Sequence, residues 1–253
     1  MVKAADVTAY LNGLFTPERF TDSALNGLQA EGSATVTGFC LGVDACAALF
    51  AEAGRLGLNY VIVHHGLFWG RPLPLVGYWR ERFRLLIEHD LSLYAMHLPM
   101  DAHPELGHNA VLARALGLSG LSPFGLYKGI AIGCCGDLAA PLPLTAAAEH
   151  LDRLFGAPVR LLAFGRPAIR RIAVVSGAGA DQSTLEEASG RGVDLLITGE
   201  TSHQVFHIAQ ELGISVAFAG HYETERWSLM ELAGRLTATF QLPAELVRLP
   251  TGM

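Results

Sequence analysis

Tyr60-Val61-Ile62-Val63-His64-His65-Gly66 is a short apolar run that ends in two adjacent imidazoles and a glycine. Its length and its β-branched residues read as a buried strand. Working outward, two more apolar runs end in a histidine: Tyr94-Ala95-Met96-His97, followed by Asp101, and Phe218-Ala219-Gly220-His221, followed by Glu225. These two repeat one arrangement, His-x-x-x-acid directly after a strand. An open α/β sheet presents ligands just beyond the carboxyl ends of its strands. Imidazole and carboxylate collected there suit Zn²⁺, Mn²⁺ and Fe²⁺. Ten histidines in 253 residues produce some such spacings by chance, but chance does not place them at the ends of three strands. The pattern predicts a metal site, holding two metals.

Around these runs strands and helices alternate. Strands are predicted over 36–43 and 60–64 on either side of a helix over 45–56, then a helix over 78–88, a strand over 92–96 and a helix over 109–116. The same order returns later, with strands over 172–176, 193–198 and 215–219 and helices over 182–191, 202–212 and 224–240. Single helices between strands imply right-handed βαβ crossovers and a largely parallel sheet. The stretch from Pro123 to Arg170 carries five prolines. It reads as a connection with its own strand over 129–134, helix over 144–155 and strand over 159–164.

The two blocks read as an internal repeat. Gly42, Ala45, Glu52, Ala53 and Gly57 recur 135 residues later as Gly177, Ala180, Glu187, Ala188 and Gly192. His97 and His221 stand 124 residues apart, each with its acid four positions on. The expected fold is α/β, built of two pseudo-symmetric α/β halves with the metal site at their seam. Residues 1–122 form the first half, 123–170 the connecting strands and helix, and 171–253 the second half.

Composition bounds the rest. With 51% hydrophobic and 17% charged residues the chain buries a large core, and no apolar stretch is long enough to span a bilayer. Met1-Val2-Lys3-Ala4-Ala5-Asp6 lacks the pattern of a secretory signal, so the expected compartment is the cytoplasm. Cys40, Cys46, Cys134 and Cys135 form no C-x-x-C pair and read as reduced core residues. A formal net charge of −6 argues against general nucleic-acid binding.

Together, His64-His65-Gly66-Leu67-Phe68-Trp69, the run from His97 to Asp101 with Gly107-His108-Asn109, Thr198-Gly199-Glu200, and Gly220-His221-Tyr222-Glu223-Thr224-Glu225 resemble the NIF-three-like (NGG-interacting factor) dinuclear metal-centre family. Asn26-Gly27-Leu28-Gln29 resembles that family's opening motif. The resemblance spans the chain in order and spacing. It implies that His64, His65, Asp101, His221 and Glu225 hold two divalent ions (Zn, Mn or Fe), with a carboxylate bridging. His97 would be a sixth ligand or a proton carrier beside the metals. It also implies a homohexamer built as a trimer of dimers, and an activity related to a type 2 GTP cyclohydrolase I. The inserted domain of longer members has no counterpart in 123–170.

Glu200, His203 and His207 add a further layer. Ser202 is the expected helix N-cap, and His203 and His207 fall on one helix face. Glu200 and His207 match the family pattern and, with His97, are the candidates for acid/base work or substrate contact; His203 is a local departure from it. Two functional classes follow. One is a metal-dependent hydrolase acting on a small molecule, with a purine nucleotide such as GTP the substrate that the family implies. No G-x-x-x-x-G-K-[ST] loop is present to hold phosphates. The alternative is a non-catalytic metal-binding or interaction scaffold.

Overall fold

Alternating strands and helices run the length of the chain in a computed structural model that describes residues 1–253. The order opens with β1 (Val2–Lys3), α1 (Ala4–Phe15), β2 (Gly27–Ala30), β3 (Thr35–Val36), β4 (Phe39–Asp44), α2 (Ala47–Leu56) and β5 (Tyr60–His65). Next come α3 (Gly77–Glu88), β6 (Ser92–Ala95), α4 (Leu98–Asp101), α5 (His108–Ala115), β7 (Ser119–Tyr127), β8 (Ile130–Pro143), α6 (Leu144–Phe155) and β9 (Arg160–Leu162). The chain closes with β10 (Ala168–Val175), α7 (Gln182–Gly190), β11 (Leu195–Thr198), α8 (Val205–Leu212), β12 (Ser215–Phe218), α9 (His221–Thr224), α10 (Trp227–Phe240) and β13 (Ala244–Leu246). The α/β class read from the sequence is the class observed. No helix is long and apolar enough to cross a membrane, and all four cysteines are free thiols.

Set beside the chain-order division at 122 and 170, internal packing groups the residues as Met1–Met100 with Ser228–Leu249, and Asp101–Trp227 with Pro250–Met253. The first unit holds a five-stranded sheet in the order β13-β4-β5-β6-β2, parallel except for β2. Period-two alternation divides its strands between two faces. Cys40, Val61, Val63, Leu93 and Ala95 face α2 and α3, where Leu49, Phe50, Leu85 and Leu86 complete a core. On the other face, the Tyr60 hydroxyl shares a 2.7 Å hydrogen bond with Thr8 Oγ1, and Tyr94 donates to Asn12 Oδ1 at 2.9 Å, both partners lying on α1. Phe39 meets Phe240 of α10 at 5.7 Å between ring centroids. Helices therefore cover both faces, which is why the central strands are apolar nearly throughout.

The second unit holds a six-stranded sheet in the order β7-β8-β10-β11-β12-β9. β10–β11 and β11–β12 pair in parallel, whereas β7–β8, β8–β10 and β12–β9 pair antiparallel. Ile172, Val174, Leu195 and Ile197 pack on Leu144, Leu151 and Phe155 of α6. Ala173, Val175, Leu196 and Val216 pack on Leu185 of α7 and Val205 and Ala209 of α8. The 123–170 segment is thus sheet-forming, its strands adding to the second sheet through the long β7–β8 hairpin.

Several boundaries differ from expectation. The strand over 36–43 divides at Gly38, where a Cβ would collide with the Leu58 side chain. The helix over 224–240 is two helices, α9 and α10, interrupted at Glu225 and Arg226. Helix α8 begins at Val205 with Gln204 in the cap position and no side-chain cap bond, so Ser202 is not its N-cap. The strand over 129–134 extends to Pro143.

One buried amide ties the second unit's scaffold to its strand ends. Asn109, on the first turn of α5, donates from Nδ2 to the Ile132 carbonyl at 2.7 Å and accepts from the Ser176 N–H at 2.7 Å through Oδ1. Truncating it strands one buried and one partly buried backbone group, each worth about 1–3 kcal/mol. Asn109→Ala is therefore expected to destabilise the protein by roughly 2–5 kcal/mol, read from the urea midpoint at unchanged slope.

Candidate metal centre

In the first unit, β5 delivers His64 and His65 to its carboxyl end, and the turn after β6 delivers His97. Each ring is fixed through Nδ1. His64 Nδ1 lies 3.0 Å from the Met96 carbonyl oxygen, His65 Nδ1 lies 2.9 Å from Asp44 Oδ1, and His97 Nδ1 lies 3.0 Å from Asp22 Oδ2. A carbonyl or carboxylate oxygen only accepts, so each Nδ1 carries a proton, which makes Nε2 the candidate ligand atom. Metal-binding histidines are oriented in this manner. The candidate ligand atoms of the three residues lie within 4.8 Å of one another.

Asp22 is the anchor of this group. Its side chain is only 3% exposed, and besides His97 it accepts from Asn26 Nδ2, the Ala24 N–H and the Leu98 N–H. Burial pushes its carboxyl upward, but the hydrogen bonds from His97 and Asn26 outweigh that and hold it well below the usual carboxylate range. The Asn26-Gly27-Leu28-Gln29 motif gains its meaning here. Asn26 Oδ1 accepts the His97 N–H at 2.7 Å, and Gln29 Oε1 accepts the Leu67 N–H at 2.7 Å. Gly66 leaves room for that glutamine: a Cβ would collide with Gln29 Nε2 and come within 2.6 Å of the Ala95 Cβ.

In the second unit, His221 Nδ1 lies 2.7 Å from Glu200 Oε1 and its Nε2 lies 3.0 Å from Glu225 Oε2. The Glu225 hydrogen bond, reinforced by the charges of both carboxylates and opposed by burial, raises the His221 pKa to about 9. In the metal-free protein this imidazole is a cation held between two anions. Gly177, at φ +61°, borders the pair; a Cβ there would overlap Glu225 Oε1 and approach His221 Nε2 to 3.2 Å. Its carbonyl accepts the N–H groups of Gly199 and Glu200 at 3.0 and 2.9 Å, and its own N–H donates to Thr224 Oγ1 at 3.0 Å. Thr224 Oγ1 in turn lies 2.9 Å from the His221 carbonyl. The loops after β10, β11 and β12 are thereby locked around one acid and one imidazole.

Asp101 and His108 form a second pair in this unit. Both are buried, their ligand atoms lie within 4.8 Å of each other, and Asp101 Oδ1 accepts from Ser176 Oγ at 3.3 Å. His108 opens α5 directly after Gly107. The sequence reading gave it no role, although a histidine at the start of an apolar helix after a glycine was the available signal. Asp22 and Asp44 had no local signal, since Asp44 finds His65 through sheet pairing and Asp22 reaches His97 from the loop before β2. Glu200 lies on His221. His203 and His207 are both exposed, 6.4 Å apart between ring centroids, but His203 lies in the turn before α8 and only His207 is on the helix, so the two do not share a helix face as expected.

The donor set fits borderline divalent cations: imidazoles of fixed tautomer, buried carboxylates, and a glycine cradle that a Cβ would fill. The family model described as Duf34/NIF3 (NGG1p interacting factor 3) matches residues 2–250. A Deinococcus radiodurans relative described as GTP cyclohydrolase 1 type 2 homolog is 43% identical over 92% of this chain and 88% of its own. An Escherichia coli K12 relative of the same description is 37% identical over 98% of this chain and 99% of its own. A solved structure from Thermus thermophilus superposes with TM-score 0.89 at 36% identity over 100% of both chains.

Two outcomes are expected. Gly177→Ala should displace the Glu225 carboxylate and weaken metal binding by about tenfold or more, measured by Zn²⁺ competition titration. His221 also predicts a pH effect on the chelated protein. Its folded pKa, about 9, exceeds the reference 6.5, so its contribution is complete below 6.5 and is lost as pH rises through about 9. Urea stability of the chelated protein should fall across that window, and His221→Gln should flatten the fall.

Proposed function

From the premise that the chain belongs to the Duf34/NIF3 family, we propose that it is a dinuclear metal-binding protein acting as a metal-dependent hydrolase on a small molecule. His64, His65, Asp101, His221 and Glu225 are its ligands. The observation that carries this reading is the orientation of the imidazoles. His64 and His65 each present Nε2 because a backbone carbonyl and Asp44 take Nδ1, while His221 stands between two carboxylates. A metal-ligating histidine donates its other ring N–H to a carbonyl or carboxylate in this way.

Two divalent ions would supply Lewis acidity toward a substrate oxygen. The chain's own residues prepare for them. Glu200 holds the His221 ring in one orientation and acts on the reaction through that histidine, as a positioning residue. Glu225 brings a buried carboxylate whose charge offsets that of the cations and is the bridging candidate. For His207, exposed on α8, the role in this reading is substrate contact. A nucleotide such as GTP is supported by the descriptions of the relatives, and the assembly that goes with this reading is a homohexamer built as a trimer of dimers.

The protein purified and reconstituted with Zn²⁺, Mn²⁺ or Fe²⁺ should hold about two ions per chain, counted by elemental analysis, and lose them to a chelator. Glu225→Ala should lose at least one ion, whereas His203→Ala should lose none. Turnover in a screen of nucleotides, phosphoesters and small amides should vanish on chelation and return with metal. Full metal loading with no turnover anywhere in that screen would replace the hydrolase with the scaffold reading, and trace metal after reconstitution would end both.

A further inference from the structure

We infer that the segment Thr251–Met253 is a positioning strap for His221: the Met253 carbonyl accepts the His221 N–H and so sets the turn that presents His221 and Glu225. The role rests on the metal-binding reading and extends it to residues that offer no ligand atom.

His221 opens α9, a helix of four residues. A single turn has little stability of its own and takes its shape from what ties it down. The first N–H groups of any helix lack partners within it. Here Gly220 occupies the cap position and makes no side-chain cap bond. The His221 N–H instead donates to the Met253 carbonyl at 2.7 Å. The other groups of His221 are held from nearer by. Glu200 and Glu225 lie on its two ring nitrogens, and the Thr224 hydroxyl and the Glu225 N–H donate to its carbonyl. Residues after β11 and β12 therefore fix the ring and the carbonyl, and the strap fixes the N–H.

The strap is shaped for this contact. Pro250–Met253 group with the second unit, as do Gly220 and His221. Gly252 turns the chain at φ +74°, and the Met253 N–H donates to Thr251 Oγ1 at 3.3 Å, closing a local turn. Gly220, at φ +91°, leaves the path open: a Cβ there would come within 3.1 Å of the Met253 carbonyl oxygen. Thr251, Gly252 and Met253 are all exposed, Met253 at 69%. The segment is held by its backbone rather than by burial, so its release leaves the cores intact.

Gly252→Pro tests the strap in the full-length chain. A Cβ at Gly252 meets nothing within 4 Å, so the substitution acts through backbone conformation: proline fixes φ at about −65°, opposite in sign to the native +74°. Zn²⁺ affinity, measured by competition titration, should fall by about three- to tenfold, and equally in a chain shortened by residues 251–253. The urea midpoints of the chelated forms should stay where they are. In the same chelated forms the His221 amide should exchange its hydrogen about tenfold faster by NMR. Met253→Ala, which keeps the carbonyl, and Gly252→Asn, whose side chain tolerates the left-handed region, should match the unaltered chain. Unchanged Zn²⁺ affinity in both Gly252→Pro and the shortened chain would overturn the inference and leave the dinuclear reading standing. A urea midpoint that falls in parallel with affinity would make the segment a general stabiliser and overturn it too, as would an equal loss of affinity in Met253→Ala, which would assign the effect to the side chain. An unaltered chain that binds no metal overturns the dinuclear reading, and this inference with it.

Discussion

Everything at the strand ends depends on which nitrogen of each imidazole carries the proton. A neutral histidine has one donor and one acceptor nitrogen, and the partner taken by one sets the role of the other. At His64 the partner is a carbonyl contributed by the neighbouring strand's end, so the tautomer follows from the parallel pairing of β5 with β6 that brings Met96 alongside. At His65 it is Asp44, its direct partner in the β4–β5 register. Sheet register thus specifies the chemistry of the ring, and a slip of one residue would turn these side chains to the other face.

His221 follows a different principle. It is held by carboxylates at both nitrogens, and in the metal-free protein the proton occupies the place in the charge balance that a cation would take. Metal binding at such a ring releases a proton and becomes easier as pH rises. In the first unit each histidine is held through Nδ1, by the Met96 carbonyl, Asp44 or Asp22. The chain therefore carries two kinds of candidate donor, imidazoles anchored through Nδ1 and one imidazole bracketed by carboxylates at both nitrogens.

Much of this was legible in the sequence. The parallel cores were visible because strands covered on both faces read as unbroken apolar runs, and Tyr60–Val63 or Leu195–Ile197 admit little else. Helix α6 follows its predicted range because its apolar spacing and the glycine after Phe155 mark it clearly. What stayed hidden was of two sorts. The β7–β8 hairpin is mixed in polarity and interrupted by Gly120 and Gly125 at positive φ, so its strands emerge only through pairing with β10. Asp22 and Asp44 lie 75 and 21 positions before their histidines, and no local pattern reports a contact made by tertiary folding. The histidines themselves were visible because they interrupt apolar runs; their anchors were not, because they sit in polar loops or at a strand end, among residues of their own kind.

The glycines show why these sites leave little room for substitution even at positions that offer no ligand atom. Gly66 makes room for Gln29, and Gly177 for Glu225 and His221. At Gly199 a Cβ would meet the Gly177 carbonyl and the His221 Cα at 2.7 Å. In each case a methyl group would press on backbone or on a hydrogen-bonded polar side chain that has few alternative positions. The backbone approaches that close the loops after β10, β11 and β12 require an absence of atoms as much as the presence of ligands. Gly177 adds a left-handed backbone conformation in which its carbonyl accepts from two successive N–H groups. The position of Glu225 is therefore set by the space left at Gly177 and by the Thr224 hydroxyl that braces the turn, as well as by the His221 imidazole beside it.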